Sequence, residues 1–88
     1  MPGARVDYKA SVAGDLSQLD PPIALRVLTR IEKTLGQAGG TGEPLTGEFA
    51  GLFRLRVGDY RVIYARTVEG YLVLRIGHRR EVYRGGRP

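Results

Sequence analysis

Three arginines, Arg54, Arg56 and Arg61, flank the dipeptide Gly58-Asp59, and a second basic group, His78-Arg79-Arg80, lies farther along the chain. The planar guanidinium is a fork of donors that matches phosphate or carboxylate oxygens, so clustered arginines point first to an anionic partner. Residues 1–53 hold five Lys/Arg and six Asp/Glu, whereas residues 54–88 hold nine arginines against Asp59, Glu69 and Glu81. The net charge of +5 therefore arises entirely in the C-terminal half, and a polyanion is the partner that this imbalance suits.

The element that positions the first group is a hairpin. Phe53, Leu55 and Val57 alternate with Arg54 and Arg56, Gly58-Asp59 interrupts, and Tyr60-Arg61-Val62-Ile63-Tyr64 resumes the pattern. A two-residue loop pairs Val57 with Tyr60, Arg56 with Arg61, Leu55 with Val62, Arg54 with Ile63 and Phe53 with Tyr64. One face is then apolar or aromatic, and the other gathers Arg54, Arg56 and Arg61. Arg56 directly opposite Arg61 costs roughly 0.2 to 1 kcal/mol, which suggests an anion between them; a solvated face of splayed arginines is the plainer alternative.

The remaining elements are support. Ala4 to Tyr8 reads as a first strand and Ala10 to Leu19 as a short helix weakened by Gly14. Asp20-Pro21-Pro22 stops that helix and starts a second, from Pro21 to Leu35, with Asp20 placed to cap it. Its stripe of Ala24, Val27, Leu28, Ile31 and Leu35 should cover the sheet, with Arg26, Arg30 and Lys33 outside. Gly36 ends it, and Gly39, Gly40, Gly42, Pro44 and Gly47 make the next segment a long loop that either binds or merely connects. After a turn at Thr67 to Gly70, the nearly continuous apolar run Tyr71 to Ile76 predicts a central strand beside Tyr60 to Arg66, buried on both faces. Gly77 closes that strand, and Arg84 to Pro88 are expected to fray. The class is α+β: an N-terminal strand and two helices packed on an antiparallel sheet formed mainly by the C-terminal half.

Composition narrows the chemistry. Eighty-eight residues at 42% apolar content suit one domain with a modest core. Without cysteine, and with His78 as the only histidine, the chain offers neither disulfides nor a set of zinc ligands, so no metal and no cofactor is expected. No apolar run is long enough to span a membrane and the N-terminus has no secretion-signal pattern, which makes the cytoplasm the expected location.

The segment LTGEFAGLFRLRVGDYRVIY, followed after a strand by IGHRREVYR, resembles the RelE/ParE superfamily of bacterial toxins, and its RelE branch most. The motifs run from about Leu45 to Arg84, and the order of strand, two helices and antiparallel strands agrees with the family fold, itself similar to small microbial RNases. The resemblance implies a toxin of a type II toxin-antitoxin system that enters the ribosomal A site, meets messenger RNA and ribosomal RNA there, cuts the message, and is silenced by a RelB-like antitoxin. It places the family's basic positions on Arg54, Arg56, Arg61, His78 and Arg79, and its late tyrosine on Tyr83.

Such a site must drive a ribose 2′-oxygen onto the adjacent phosphorus and expel the 5′-oxygen. Arg61 and Arg79 are the expected phosphoryl clamp, Arg56 supports them, and Arg54 and Arg80 grip the RNA backbone. Tyr83 and His78 are the expected proton-transfer pair, with base and acid not distinguished. Taken without the resemblance, His78 reads as a turn residue. So sparse an acid-base set suits an enzyme that relies on the ribosome to position its substrate. A ParE-like inhibitor of DNA gyrase, on the same fold but without this basic and aromatic set, is the rival reading, and a plain basic nucleic-acid-binding domain is the third.

Overall fold

The computed structural model describes residues 3–37 and 42–88; Gly39 and Gly40 of the glycine-rich loop lie outside them. The elements are β1 (Arg5–Tyr8), α1 (Val12–Ser17), α2 (Pro21–Ile31), a π turn (Glu32–Gln37), β2 (Glu43–Pro44), a 3-10 turn (Gly47–Phe49), β3 (Phe53–Val57), β4 (Tyr60–Arg66) and β5 (Gly70–His78). Five strands form one sheet in the order β1-β5-β4-β3-β2. The C-terminal half supplies most of its antiparallel part as expected, β2 adds a short antiparallel edge beside β3, and β1 adds a parallel edge beside β5, which makes the sheet mixed.

The hairpin has the register that its alternation dictates, from Phe53↔Tyr64 to Val57↔Tyr60, and Gly58 takes the positive φ of 59° that a glycine-first two-residue loop requires. Both helices lie on one side of the sheet. Val12, Val27, Ile31 and Leu35 pack there against Leu55, Val57, Val62, Tyr64, Tyr71, Val73 and Ile76. Burying each aliphatic side chain of this kind contributes about 1.5 to 3 kcal/mol, so this layer drives the docking of the α2 stripe. The α-helical part of α2 ends at Ile31, short of the expected Leu35, and the chain continues as the π turn, still burying Leu35. Asp20 starts α2 with its carbonyl, which accepts from the N–H groups of Ile23 and Ala24, and its side chain makes no capping bond. Prolines at the first two helical positions have removed one of the donors that a capping carboxylate would take.

The other face of the sheet has a core of its own. Leu52, Ile63 and Val82 are buried there, with Leu45, Phe49, Ala65, Leu74 and Tyr83 around them. The segment 45–52 and the chain after β5 close over this face, so β5 is covered on both sides, with Tyr71, Val73 and Ile76 buried toward the helices and Leu72 and Leu74 half-buried. Residues 84–88, expected to fray, are held by Arg87, whose Nη1 donates to the carbonyls of Ala50 (2.9 Å) and Glu48 (3.2 Å).

Two features complete β5. Its pairing with β4 skips Leu74, since Ile63 faces Arg75 while Tyr64 faces Val73. The extra residue is a β-bulge that resets the alternation, so Leu74 and Arg75 both turn away from the helices. β1 pairs only with Gly70 to Val73, and beyond it Asp15 of α1 takes over the strand edge, its Oδ2 accepting from the Ile76 N–H at 2.9 Å.

Candidate active site

Cross-strand neighbours share a face, so the register places Arg54, Arg56 and Arg61 together on the side away from the helices. The structure then supplies a partner that sequence reading missed. β2 pairs antiparallel with β3, setting Glu43 opposite Arg54. The carboxylate reaches Arg56 Nε at 3.0 Å and Arg54 Nη2 at 3.3 Å. The anion suggested by the facing arginines is thus met in part from within the chain. Arg61 turns the other way, its Nη1 donating to the carbonyls of Gly58 (2.8 Å) and Tyr60 (2.9 Å), which separates it from Arg56.

Tyr83 joins the same face. Arg54 Nη1 donates to its hydroxyl at 3.1 Å, and its ring packs edge-on against Phe49 with centroids 5.2 Å apart. The bond to Tyr83, and more weakly the Glu43 carboxylate, hold the Arg54 guanidinium above its ordinary basicity, against the opposing effect of its partial burial. Its side chain is 24% exposed, and its buried Nε–H meets no acceptor among the described residues, a cost that the bonds to Tyr83 and Glu43 offset.

Arg79 lies beside the β3–β4 loop. Its backbone N–H donates to the Asp59 carbonyl at 2.8 Å, and its Nε stands 3.9 Å from Asp59 Oδ1. Arg61 and Arg79 therefore converge on one loop, Gly58 to Tyr60, at the end of the sheet. Arg80 is exposed on the following turn.

His78 is set apart from Tyr83. Along β5 it falls on the helix-facing side with Ile76, stacking edge-on with Tyr60 at 5.6 Å, beside a cavity of about 370 Å³ that Arg26, Ile23 and Asp59 also line. Tyr83 belongs to the cluster on the opposite face, so the expected proton-transfer pair of these two residues is not brought together. What His78 does hold is the turn. Its Nδ1 accepts the Arg80 N–H at 3.2 Å and its carbonyl accepts the N–H groups of Glu81 and Val82.

The assembled group is chemically specific: guanidinium pairs for phosphate, a phenol held by one of them, and a carboxylate between two arginines that can accept a proton. Glu43 was hidden in a glycine-rich loop, where nothing local marks a carboxylate as facing a strand two elements away. Among the described residues no group of three His, Cys, Asp or Glu converges as a metal site, and no helix is long and apolar enough to cross a membrane.

Comparison with known proteins gives the family and agrees with the fold. The family described as "ParE toxin of type II toxin-antitoxin system, parDE" matches residues 6–83. The chain is 33% identical over 85 residues to Toxin RelG of Mycobacterium tuberculosis, covering 90% of this chain and 94% of that one. Among solved structures, the toxin-antitoxin complex RelBE2 from Mycobacterium tuberculosis aligns with a TM-score of 0.72 at 28% identity, over 86% of this chain and 98% of its own. The RelB-RelE antitoxin-toxin complex from Methanococcus jannaschii aligns with a TM-score of 0.70, over 90% of this chain and 96% of its own, and at 20% identity shows likeness of fold.

Proposed function

The chain belongs to the RelE/ParE superfamily of type II toxin-antitoxin toxins, and from that premise we propose that it is a RelE-type endoribonuclease that cleaves messenger RNA in the ribosomal A site and so halts translation. The observation that carries this reading is the bond from Arg54 to the Tyr83 hydroxyl on the face that also holds Arg56, Arg61 and Glu43. A purely obstructive toxin has no need of a phenol held by a guanidinium beside a carboxylate.

In this reading Arg61 and Arg79 clamp the scissile phosphoryl oxygens from the Gly58–Tyr60 loop, and Arg56 supports them once a phosphate replaces Glu43 as its partner. Arg54 orients Tyr83 and, with Arg80, grips the flanking backbone. Tyr83 and Glu43 exchange the 2′ proton, a role that their contacts with Arg54 support, and His78 serves by ordering the turn that carries Arg79 and Arg80. Because the acid-base set is small, the ribosome supplies positioning, and free RNA is a poor substrate. A RelB-like antitoxin, the partner in the solved relatives, would lie over the helices and the basic rim and block entry to the A site.

The matching family description is that of ParE, which favours a second reading, inhibition of DNA gyrase. Primer extension on translated messages after brief induction, run beside a gyrase supercoiling assay, separates the two. Tyr83→Phe sharpens the test. It keeps the ring on Phe49 and removes only the hydroxyl that Arg54 holds, so single-turnover cleavage on programmed ribosomes should slow roughly 10²- to 10⁴-fold with ribosome binding little changed. Cleavage at the unaltered rate would reduce Tyr83 to a stacking platform.

A further inference from the structure

We infer that Arg75 is a positioning residue for Tyr83, gripping the backbone on both sides of it. Its Nη1 donates to the carbonyl of Val82 at 2.6 Å and to that of Arg84 at 3.2 Å. Tyr83 lies between those two peptide groups, in a chain of turns with no strand partner of its own. Arg54 holds the hydroxyl and Phe49 the ring, but neither sets where the Tyr83 Cα sits. Together with the turn bonds of Glu81 and Val82 to the His78 carbonyl, Arg75 does, from a central strand.

The β-bulge makes this possible. Strict alternation after Val73 would put Arg75 on the helix-facing side, where its charge would enter the main core. The extra residue at Leu74 sends Arg75 to the face that carries Tyr83. A bulge that re-aims one arginine toward the backbone flanking the candidate proton-transfer residue is a device for placing that residue. A guanidinium suits the task, since one nitrogen carries two N–H donors and can bond both carbonyls at once.

The catalytic part of this inference rests on Tyr83 acting in RNA cleavage; the positional part does not, and the two are tested separately. The full chain labelled with ¹³C in its tyrosine rings gives one set of ring signals per tyrosine, and loss on Tyr83→Phe identifies that of Tyr83. In Arg75→Gln the Tyr83 signals should sharpen and shift toward free-tyrosine values, while those of Tyr64 and Tyr71 in the main core stay put and report an intact fold. Arg75→Lys, able to keep one of the two bonds, should shift Tyr83 part of the way and serves if Arg75→Gln does not fold. Unmoved Tyr83 signals in either folded variant overturn the inference. On programmed ribosomes, Arg75→Gln should slow single-turnover cleavage roughly ten- to hundredfold with ribosome affinity unchanged, and should add nothing in a Tyr83→Phe background. Full additivity of the two substitutions would show that Arg75 acts other than through Tyr83. Wild-type protein that cuts no message would sink the nuclease reading, and the ring signals would still decide the positioning.

Discussion

Glu43 stands within 3.3 Å of two arginines, so a phosphate approaching Arg54 and Arg56 meets a carboxylate already in place. The side chain of Glu43 is 52% exposed, and ion pairs of that exposure contribute about 0 to 1 kcal/mol to stability. Glu43→Gln should therefore leave thermal stability within that margin while raising affinity for a short RNA oligonucleotide several-fold, as read by fluorescence anisotropy. Unchanged affinity would show that the carboxylate swings aside at no cost. Arg61 and Arg79 differ from this pair because their contacts are to the Gly58–Tyr60 loop, away from Glu43. Arg61→Ala and Arg79→Ala should each abolish growth inhibition and lower cleavage roughly 10²- to 10³-fold, with circular dichroism and antitoxin co-purification little changed. A variant as toxic as the wild type at equal soluble expression would remove that arginine from the phosphoryl clamp.

Among the elements, β5 carries most of the architecture: it is flanked by β4 and β1, covered by helices on one face and by the second cluster on the other. Its weak place is the edge beyond Val73, where β1 has ended and Asp15 supplies the acceptor for the Ile76 N–H. Removing that acceptor leaves a partly buried donor without its partner, so Asp15→Ala should cost about 1 to 3 kcal/mol in urea unfolding, while Asp15→Asn, which keeps an acceptor oxygen, should cost less. Equal losses in the two variants would mean that the charge and not the hydrogen bond matters. Because Gly77 and His78 follow directly, a loosened edge should also disturb the Arg79-Arg80 turn.

For the molecule as a whole, two tyrosines act as ties between distant parts. The Tyr8 hydroxyl donates to Glu32 Oε2 at 2.7 Å, joining β1 to the π turn, and the Tyr64 hydroxyl accepts the Gly42 N–H at 2.9 Å, joining the loop before β2 to the main core. Gly42 has no room for a side chain, since a Cβ would stand 2.2 Å from the Tyr64 hydroxyl. Burial, then the bond to Glu32 and its charge, push the Tyr8 phenol well above the ordinary tyrosine range; burial also raises Tyr64, partly offset by the Gly42 N–H. The unfolded chain ionises its tyrosines near pH ~10. The folded state binds the Tyr8 and Tyr64 protons more tightly, so the stability these two contribute is complete below that pH and is lost as pH rises through their folded-state values. The tyrosinate absorbance of Tyr8 and Tyr64, read as the difference from Tyr8→Phe and Tyr64→Phe variants, should accordingly develop in step with unfolding in alkali. Ionisation of Tyr8 and Tyr64 near the free value in a still-folded chain would contradict these ties.

What the amino-acid sequence determined by itself was local and periodic. Alternation around Gly58-Asp59 dictated the hairpin register, the nearly continuous apolar run from Tyr71 to Ile76 dictated a central strand covered on both faces, and Val27, Ile31 and Leu35 of the expected stripe dictated which side of α2 and the π turn meets the sheet. Each follows from a repeat length or a loop geometry that neighbouring residues specify. The basic face, and Arg54, Arg56 and Arg61 upon it, was legible for the same reason. Only the tertiary structure decided who meets whom: Glu43 with two arginines, Asp15 with Ile76, Arg54 with Tyr83, and His78 on the far side of the sheet from Tyr83. The bulge at Leu74 carries no glycine or proline to announce it, and it arises because an arginine cannot be left among Val73 and Ile76. Periodicity assigns a residue to a face. Its partner on that face depends on how segments far apart in the chain are folded over one another.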